Sequence, residues 1–445
     1  MTVIPPPLSL TTPPLPRSSA TRQPIDRIVV INDLSHPMGG ASALAVQSAL
    51  GFAHIGYPVT FLSGDAPPPK GMGHRAIETI GLGQGRLLDR GARDALITGW
   101  WNRAALAMVR HFIATRDTPG TVYHLHGWSQ ILSPAIFAAL APVRDRLVIS
   151  AHDFFLVCPT GAYADLSSGA PCTRVPLSAA CCLAGCDRRS RMHKIWRLVR
   201  ATIQRAMLDP QNSPPILAIH AAMTPGLQRG GIPAQAIRVV PNPVVPWSAT
   251  RIHAEGNRDV LFVGRLEQPK GPDLALAAAR AAGVSIQVVG DGAMAAQLRS
   301  EYPEGKFAGK LDPAAIAVLA SQARLLVMPS RAPEPYGLVA MEAVRGGLPV
   351  VLPPSALLSA DIARIGAGVA VEPRDTPAFA ALLRRLAKDD CAIRAMSEAA
   401  FAHGAPLALD PDDWLDRLLG LYRERLGDVA SSRACPSMSA CAGGT

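Results

Sequence analysis

Pro329-Ser-Arg-Ala-Pro-Glu-Pro-Tyr-Gly-Leu-Val-Ala-Met-Glu-Ala-Val-Arg-Gly-Gly-Leu-Pro-Val350 reads as the middle of a strand–helix–strand unit. The apolar run Leu325–Met328 before it predicts a buried strand, a helix opens at Gly337 and runs to Arg345, and Leu348–Leu352 returns as a strand. The unpaired backbone N–H groups at such a helix start form an anion site suited to a diphosphate. Glu334 precedes that start, and Glu342 follows Gly337 by about 7–8 Å along the axis. Two carboxylates so placed can accept hydroxyl donors, one on a sugar and one on a ribose. They can equally be a dipole cap and a solvated helix residue.

The same alternation extends in both directions. Arg27–Ile31, Pro58–Leu62, Val122–Leu125, Leu147–Ser150 and Ile216–Ile219 read as strands, with helices at Ala41–His54, Ser133–Leu140 and Arg191–Leu208. After the proline-rich segment Arg238–Pro246, strands at Asp259–Val263 and Ser285–Val289 alternate with helices at Pro272–Ala282 and Pro313–Ser321. Helices at Thr376–Lys388 and Trp414–Arg425 close the pattern. The expected fold is α/β, with two facing Rossmann-like doubly wound parallel sheets and a ligand cleft between them. The expected divisions are a disordered tail 1–24, a first domain 25–240 with a Cys-rich insertion at about 158–190, a hinge 241–247, a second domain 248–410, a helix 411–427 that packs back on the first domain, and a disordered tail 428–445.

Further candidates sit at strand ends. Val263-Gly-Arg-Leu-Glu-Gln-Pro-Lys-Gly271 offers Gly264, Arg265 and Lys270, a guanidinium and an ammonium able to neutralise a departing diphosphate. Gly290 closes another strand of that half. Gly39 and Gly40, after the first strand, let backbone approach phosphate ahead of a helix start. His126 and the pair His152-Asp153 put an imidazole or carboxylate at the end of first-domain strands, for hydrogen bonding to a sugar or help with an acceptor proton.

These motifs together resemble the retaining glycosyltransferase family 4, whose GT-B fold has two facing Rossmann-like domains. The spacing Glu334-x7-Glu342 resembles that family's donor signature. The resemblance implies that Glu334 contacts the transferred sugar, Glu342 the donor ribose, and Gly337, Leu338 and Val339 the phosphates. It gives Arg265 and Lys270 the donor phosphate, and His152 an acceptor-domain role, with His126 and Asp153 beside it. The family often has an acid shortly after the glycine pair; here Ala41 and Ser42 follow. The implied reaction retains anomeric configuration. It uses a nucleotide-sugar donor (UDP or GDP) and a saccharide or lipid-linked acceptor, and requires no cofactor or metal, since no Asp-x-Asp stands at a strand end. A catalytically inactive nucleotide-sugar or carbohydrate binder of the same fold is the alternative.

Composition bounds the remaining classes. The 445 residues carry a formal net charge of +10 and are 49% hydrophobic, enough for two packed cores. No apolar run reaches the roughly 18 residues of a membrane span, and the start lacks the order of a secretory signal, so a cytoplasmic place is expected. No Gly-x-Gly-x-x-Gly follows the first strand, against a nicotinamide enzyme, and no aromatic–basic interleaving suggests nucleic acid. Cys158, Cys172, Cys181, Cys182 and Cys186 cluster without a Cys-x2-Cys knuckle, so buried thiols or a redox disulfide are favoured over structural metal. In the helix Arg191–Leu208, Trp196, Val199, Ile203 and Met207 are expected to face the core. Lys194, Arg197, Arg200 and Arg205 are expected to face solvent or an anionic membrane surface.

Overall fold

The computed structural model describes residues 24–68, 72–166, 169–187 and 189–433. The expected tail 1–24 lies outside them save for its last residue, as does the 434–445 part of the expected tail 428–445. The beginning of that second tail instead continues the final helix, Pro411–Arg433.

The β-branched runs form two parallel sheets. The first contains β1 (Arg27–Asn32), β2 (Val59–Ser63), β3 (Ile77–Gly81), β4 (Thr121–Leu125), β5 (Leu147–Ala151), β6 (Ile216–Ala218) and β7 (Ile237–Val239), in the order β3-β2-β1-β4-β5-β6-β7. The second contains β8 (Asp259–Val263), β9 (Ile286–Val289), β10 (Lys306–Gly309), β11 (Ala323–Val327), β12 (Val350–Leu352) and β13 (Gly368–Ala370), in the order β10-β9-β8-β11-β12-β13. Strands β2, β4, β5 and β11 are buried along their whole length. Helices cover both faces, so these strands read as continuous apolar runs without alternation. Each sheet reverses its winding between its first strand and a later one, β1 with β4 and β8 with β11. The carboxyl ends at such a switch point open a crevice.

Two departures from the sequence reading have physical causes. The proline-rich segment gives its first residues, Arg238 and Val239, to β7. Pro241 follows that edge strand, so the missing N–H interrupts no ladder. The helix Arg191–Leu208 departs from expectation on part of its surface: Arg205 is exposed and Trp196, Ile203 and Met207 are half-buried, but two basic residues turn inward. Lys194, Arg200 and Gln204 are buried, while Met192, Ile195 and Val199 are exposed. Polar side chains face inward because the loops behind them offer carbonyls and rings: Gln204 Nε2 donates to the carbonyls of Phe155 and Leu156, and Arg200 to that of Trp128.

The chain crosses between the sheets twice, and the two crossings pair. Val244 N–H donates to Leu409 O at 2.9 Å, with a parallel bridge between Pro243 and Leu409. Beyond them the final helix lays Trp414, Leu418, Leu419, Tyr422 and Leu426 into the core formed by Ile28, Val30 and Phe61 of the first sheet and Phe52 of the helix Gly40–His54. Tyr422 Oη lies 2.6 Å from His124 Nδ1.

Candidate functional site

The loops after β8 and β11 are built around one ion pair. Lys270 Nζ donates to Glu334 Oε2 at 2.6 Å, and Ser330 Oγ donates to the same oxygen at 3.2 Å. Arg331 locks the two loops together: its N–H donates to Pro269 O, and its guanidinium reaches both oxygens of Asp273. Gly271, at φ +67°, is required there, because a Cβ would meet Pro329 O at 2.1 Å. Burial pushes the Glu334 carboxyl up. The Lys270 charge, the hydrogen bonds from Lys270 and Ser330, and the Arg265 charge outweigh it and hold the group below its ordinary value.

Three residues on, Gly337 caps the helix Leu338–Arg345 in the left-handed region at φ +74°. No side chain occupies the cap, so the leading N–H groups of that helix carry its positive end. Glu342 lies along the helix, half-buried, and burial pushes its carboxyl up to about 7, with Trp247 pulling it back in part. Tyr336, inside the same motif and 3% exposed, donates to Leu407 O at 2.9 Å and approaches Asn242 O, so the loop after β11 is fastened to both crossings.

The first sheet faces this loop with a cavity of about 200 Å³. Its walls include Gly39, Gly40, His126, Ser150, His152 and Asp153, together with Arg265 of the second half. Asp33 shapes one side by accepting N–H bonds from Gln130, Ile131 and Leu132 at 2.8–2.9 Å. Gly39 opens the first helix, Gly40–His54, with extended backbone, and a Cβ on it would meet nothing. The acid missing after the glycine pair is replaced by Ser42, whose Oγ accepts from the N–H groups of Met38 and Gly39. A Cβ on Gly40 would come 3.3 Å from Leu338 Cδ1, so the starts of the two helices meet across the cleft.

The imidazoles form a closed set. His126 Nδ1 and His152 Nε2 are 3.0 Å apart with stacked rings, and His124 lies 4.0 Å from His126 ring to ring. Burial pushes His152 down to about 4 and His126 well below its ordinary value, so both are neutral at pH 7. Asp153 is pushed up to about 6 by burial, against the Phe155 N–H it accepts.

The structure therefore brings the expected residues into two groups. Lys270, Glu334, Gly337, Leu338 and Glu342 share the second-half loop and helix, while Gly39, Gly40, His126, His152 and Asp153 line the cavity opposite. Arg265 lines that cavity while paired to its neighbour Glu267 at 2.7 Å. Gly264 and Gly290 do not line it; Gly290 packs on the Gly264 carbonyl, where a Cβ would collide. Val339 follows Leu338 in the helix. Asp33, Arg86, Tyr336 and Gln204 escaped the sequence reading. The available signal for Gln204 was its spacing from Lys194, Arg197 and Arg200, which makes one helical stripe of polar residues. Cys181 and Cys186 are buried, Cys158 and Cys172 half-buried, and Cys182 exposed; among the described residues no three His, Cys, Asp or Glu side chains are grouped to hold a metal ion. No helix among them is long and apolar enough to cross a membrane.

Residues 247–403 match the family model described as glycosyl transferases group 1. A glycogen synthase of Mycobacterium tuberculosis is 31% identical over 166 residues, which are 35% of this chain and 40% of that protein. A D-inositol 3-phosphate glycosyltransferase of Catenulispora acidiphila is 30% identical over 187 residues, 38% of this chain and 44% of that one. The match thus spans less than half the length of these curated relatives. Among solved structures, a sucrose-phosphate synthase from Thermosynechococcus elongatus superposes with a TM-score of 0.67 at 19% identity, over 91% of this chain and 100% of the other. HepE of Anabaena, solved in complex with UDP, gives 0.60 at 15% identity, over 91% and 100%. The shared fold is GT-B.

Proposed function

We propose that this chain, whose residues 247–403 match the glycosyl transferases group 1 model, is a retaining glycosyltransferase that takes a nucleotide sugar as donor and a saccharide or lipid-linked molecule as acceptor. The observation that carries this reading is the Lys270–Glu334 pair, poised three residues before an uncapped helix start. In that arrangement the cation and the helix N–H groups of Leu338 and Val339 receive the diphosphate. Lys270 leaves Glu334 for the phosphate, and Glu334 turns its freed oxygen to the hydroxyls of the transferred sugar. Arg265, exposed and paired with Glu267, adds the second positive charge. Glu342 accepts the ribose hydroxyls.

On the opposite wall, neutral His152 donates to or accepts from a sugar hydroxyl, and Asp153 orients the acceptor end of the cavity. Charge that develops on the departing diphosphate is stabilised where the cations already stand, and its oxygen is the base nearest the acceptor hydroxyl on the same face of the sugar. That face-preserving route gives retention. Uridine or guanosine diphosphate is the donor nucleotide; the UDP bound to HepE favours uridine. The place of action is cytoplasmic. The peripheral contact with an anionic membrane that a lipid-linked acceptor needs falls to the exposed Arg189, Arg191 and Arg205. Lys194 and Arg200 are committed inside.

A thermal-shift screen of nucleoside diphosphates and their sugars tests the reading, because a ligand of the folded state at 100 times its Kd stabilises by about 2.7 kcal/mol. One nucleotide class should raise the Tm of the wild type and leave an Arg265→Ala, Lys270→Ala double variant unmoved. A well-folded wild type that responds to none of them overturns the proposal.

A further inference from the structure

The inward stripe of the helix Arg191–Leu208 contains one residue that the cleft does not use. Lys194 is 3% exposed, and its polar contacts are two sulfurs: Nζ lies 3.1 Å from Cys186 Sγ and 3.9 Å from Cys181 Sγ. Both cysteines are buried. The acid nearest in the chain, Asp187, is taken by Arg197 at 2.8 Å. Among the described residues no carboxylate stands within ion-pair distance of Lys194. Burial disfavours the Lys194 ammonium, but the hydrogen bond to Cys186 and the charge of the two cysteines outweigh it and hold the group above its ordinary value. A covalent bond to sulfur would remove the charge and with it the cost of burying it.

We infer that Lys194 and Cys186 form a redox modification site, joined under oxidising conditions by a nitrogen–oxygen–sulfur bridge. The reactants are the Cys186 thiol, dioxygen and the Lys194 amine formed when its ammonium releases a proton to solvent. The thiol gives up its S–H hydrogen and the amine one N–H hydrogen, while the O–O bond breaks. One oxygen atom forms the new S–O and O–N bonds, and the other leaves as water with both hydrogens. Sulfur and nitrogen each lose two electrons, and dioxygen takes up all four. Two equivalents of a dithiol reverse the step, returning thiol, amine and water as they become disulfides. The exposed Cys182 has no part in it.

The bridge links two parts of the cleft. Cys186 ends the cysteine-bearing insertion, and the insertion's Gly169 packs on the donor-side loop, where a Cβ would meet Arg331 O at 2.7 Å. Further along the same helix from Lys194, Arg200 and Gln204 hold the loops behind the cavity. Closing the bridge ties the insertion to the helix that supports that wall.

Intact-mass analysis of the full chain, kept in air and then divided between buffer and dithiol, tests the site. The air-kept protein should be heavier by one oxygen atom less two hydrogens. Peptide mapping should place the change on a crosslink between Lys194 and Cys186, and dithiol should erase it. Cys186→Ser and Lys194→Arg should lack it, and Cys181→Ser should keep it. The bridged wild type should melt several degrees above the dithiol-treated one, a difference absent in Cys186→Ser. Absence of the crosslink in wild type after prolonged exposure to air overturns the inference. So does a Cys181–Cys186 disulfide in its place, or a stoichiometric zinc ion.

Discussion

On the donor side of the cleft, Lys270 and Glu334 meet at 2.6 Å with 29% and 20% of their side chains exposed. Across from them, His126 and His152 meet at 3.0 Å with no opposite charge between them, and burial keeps both neutral. The first arrangement stores charge in a pair that a phosphate can exchange into. The second removes charge and leaves a polar wall that can read hydroxyls without attracting a second anion. Under the proposed function, electrostatics separates the two substrates: the anionic one is drawn to the second half, and the uncharged hydroxyls are left to the first.

The strongest break in this contrast is removal of the exchanging pair. Lys270→Ala, or Glu334→Gln, is expected to lower sugar transfer by about 10²–10³-fold, as loss of a charge-stabilising group does. Steady-state assays of nucleotide release measure it. Lys270→Ala should also abolish the nucleotide thermal shift, whereas Glu334→Gln should keep it. Equal loss of nucleotide binding in both would erase the assigned division of labour.

Next in size is the acceptor wall. His152→Ala should reduce kcat by about 10²-fold with donor Kd nearly unchanged. With the Asp153 carboxyl up at about 6, kcat should fall as pH drops through that value, and Asp153→Asn should flatten that limb. The same shift has a stability sign. A carboxyl raised in the folded state binds its proton more tightly than in the unfolded chain. Its contribution is therefore present at low pH and is lost as pH rises from the ordinary carboxylate range through about 6.

A finer test separates ribose from phosphate. Glu342 titrates at about 7, and only its charged form is a full acceptor for two hydroxyls. Nucleotide affinity should therefore weaken as pH falls from 8 to 6. Glu342→Gln should bind about tenfold more weakly and lose that pH dependence, as calorimetry at several pH values would show. The smallest effect is expected far from the charges. Tyr422→Phe removes the hydrogen bond to His124 and should cost about 1 kcal/mol of stability in denaturant melts, with kcat almost unmoved.

Much of this was legible before any coordinates, and for a definable reason. The second half displays its chemistry in two short stretches: Glu334, Gly337 and Glu342 are spaced by one loop and the helix it opens, and Gly-Arg…Lys-Gly by a single turn. Local geometry alone then decides what converges. The first half assembles its cavity from chain ends nearly a hundred residues apart, as when Asp33 accepts from Gln130, and no local spacing announces such a contact. In the helix Arg191–Leu208 the burial of Lys194 and Arg200 escapes the pattern, because apolar residues usually mark the buried face. Here the loops behind it expose carbonyls of Phe155, Leu156 and Trp128, and long polar side chains satisfy them better than apolar ones. Tyr336 was visible in the motif, but its role in fastening the crossings depends on where Leu407 and Asn242 return.

A crystal structure of the chain with the nucleoside diphosphate selected by the thermal screen tests the central claim most directly. The account predicts the diphosphate at the start of the helix Leu338–Arg345, accepting from the Leu338 and Val339 N–H groups, with Lys270 Nζ moved off Glu334 onto a phosphate oxygen. A diphosphate bound elsewhere in the cleft, with the Lys270–Glu334 pair still closed, would contradict it.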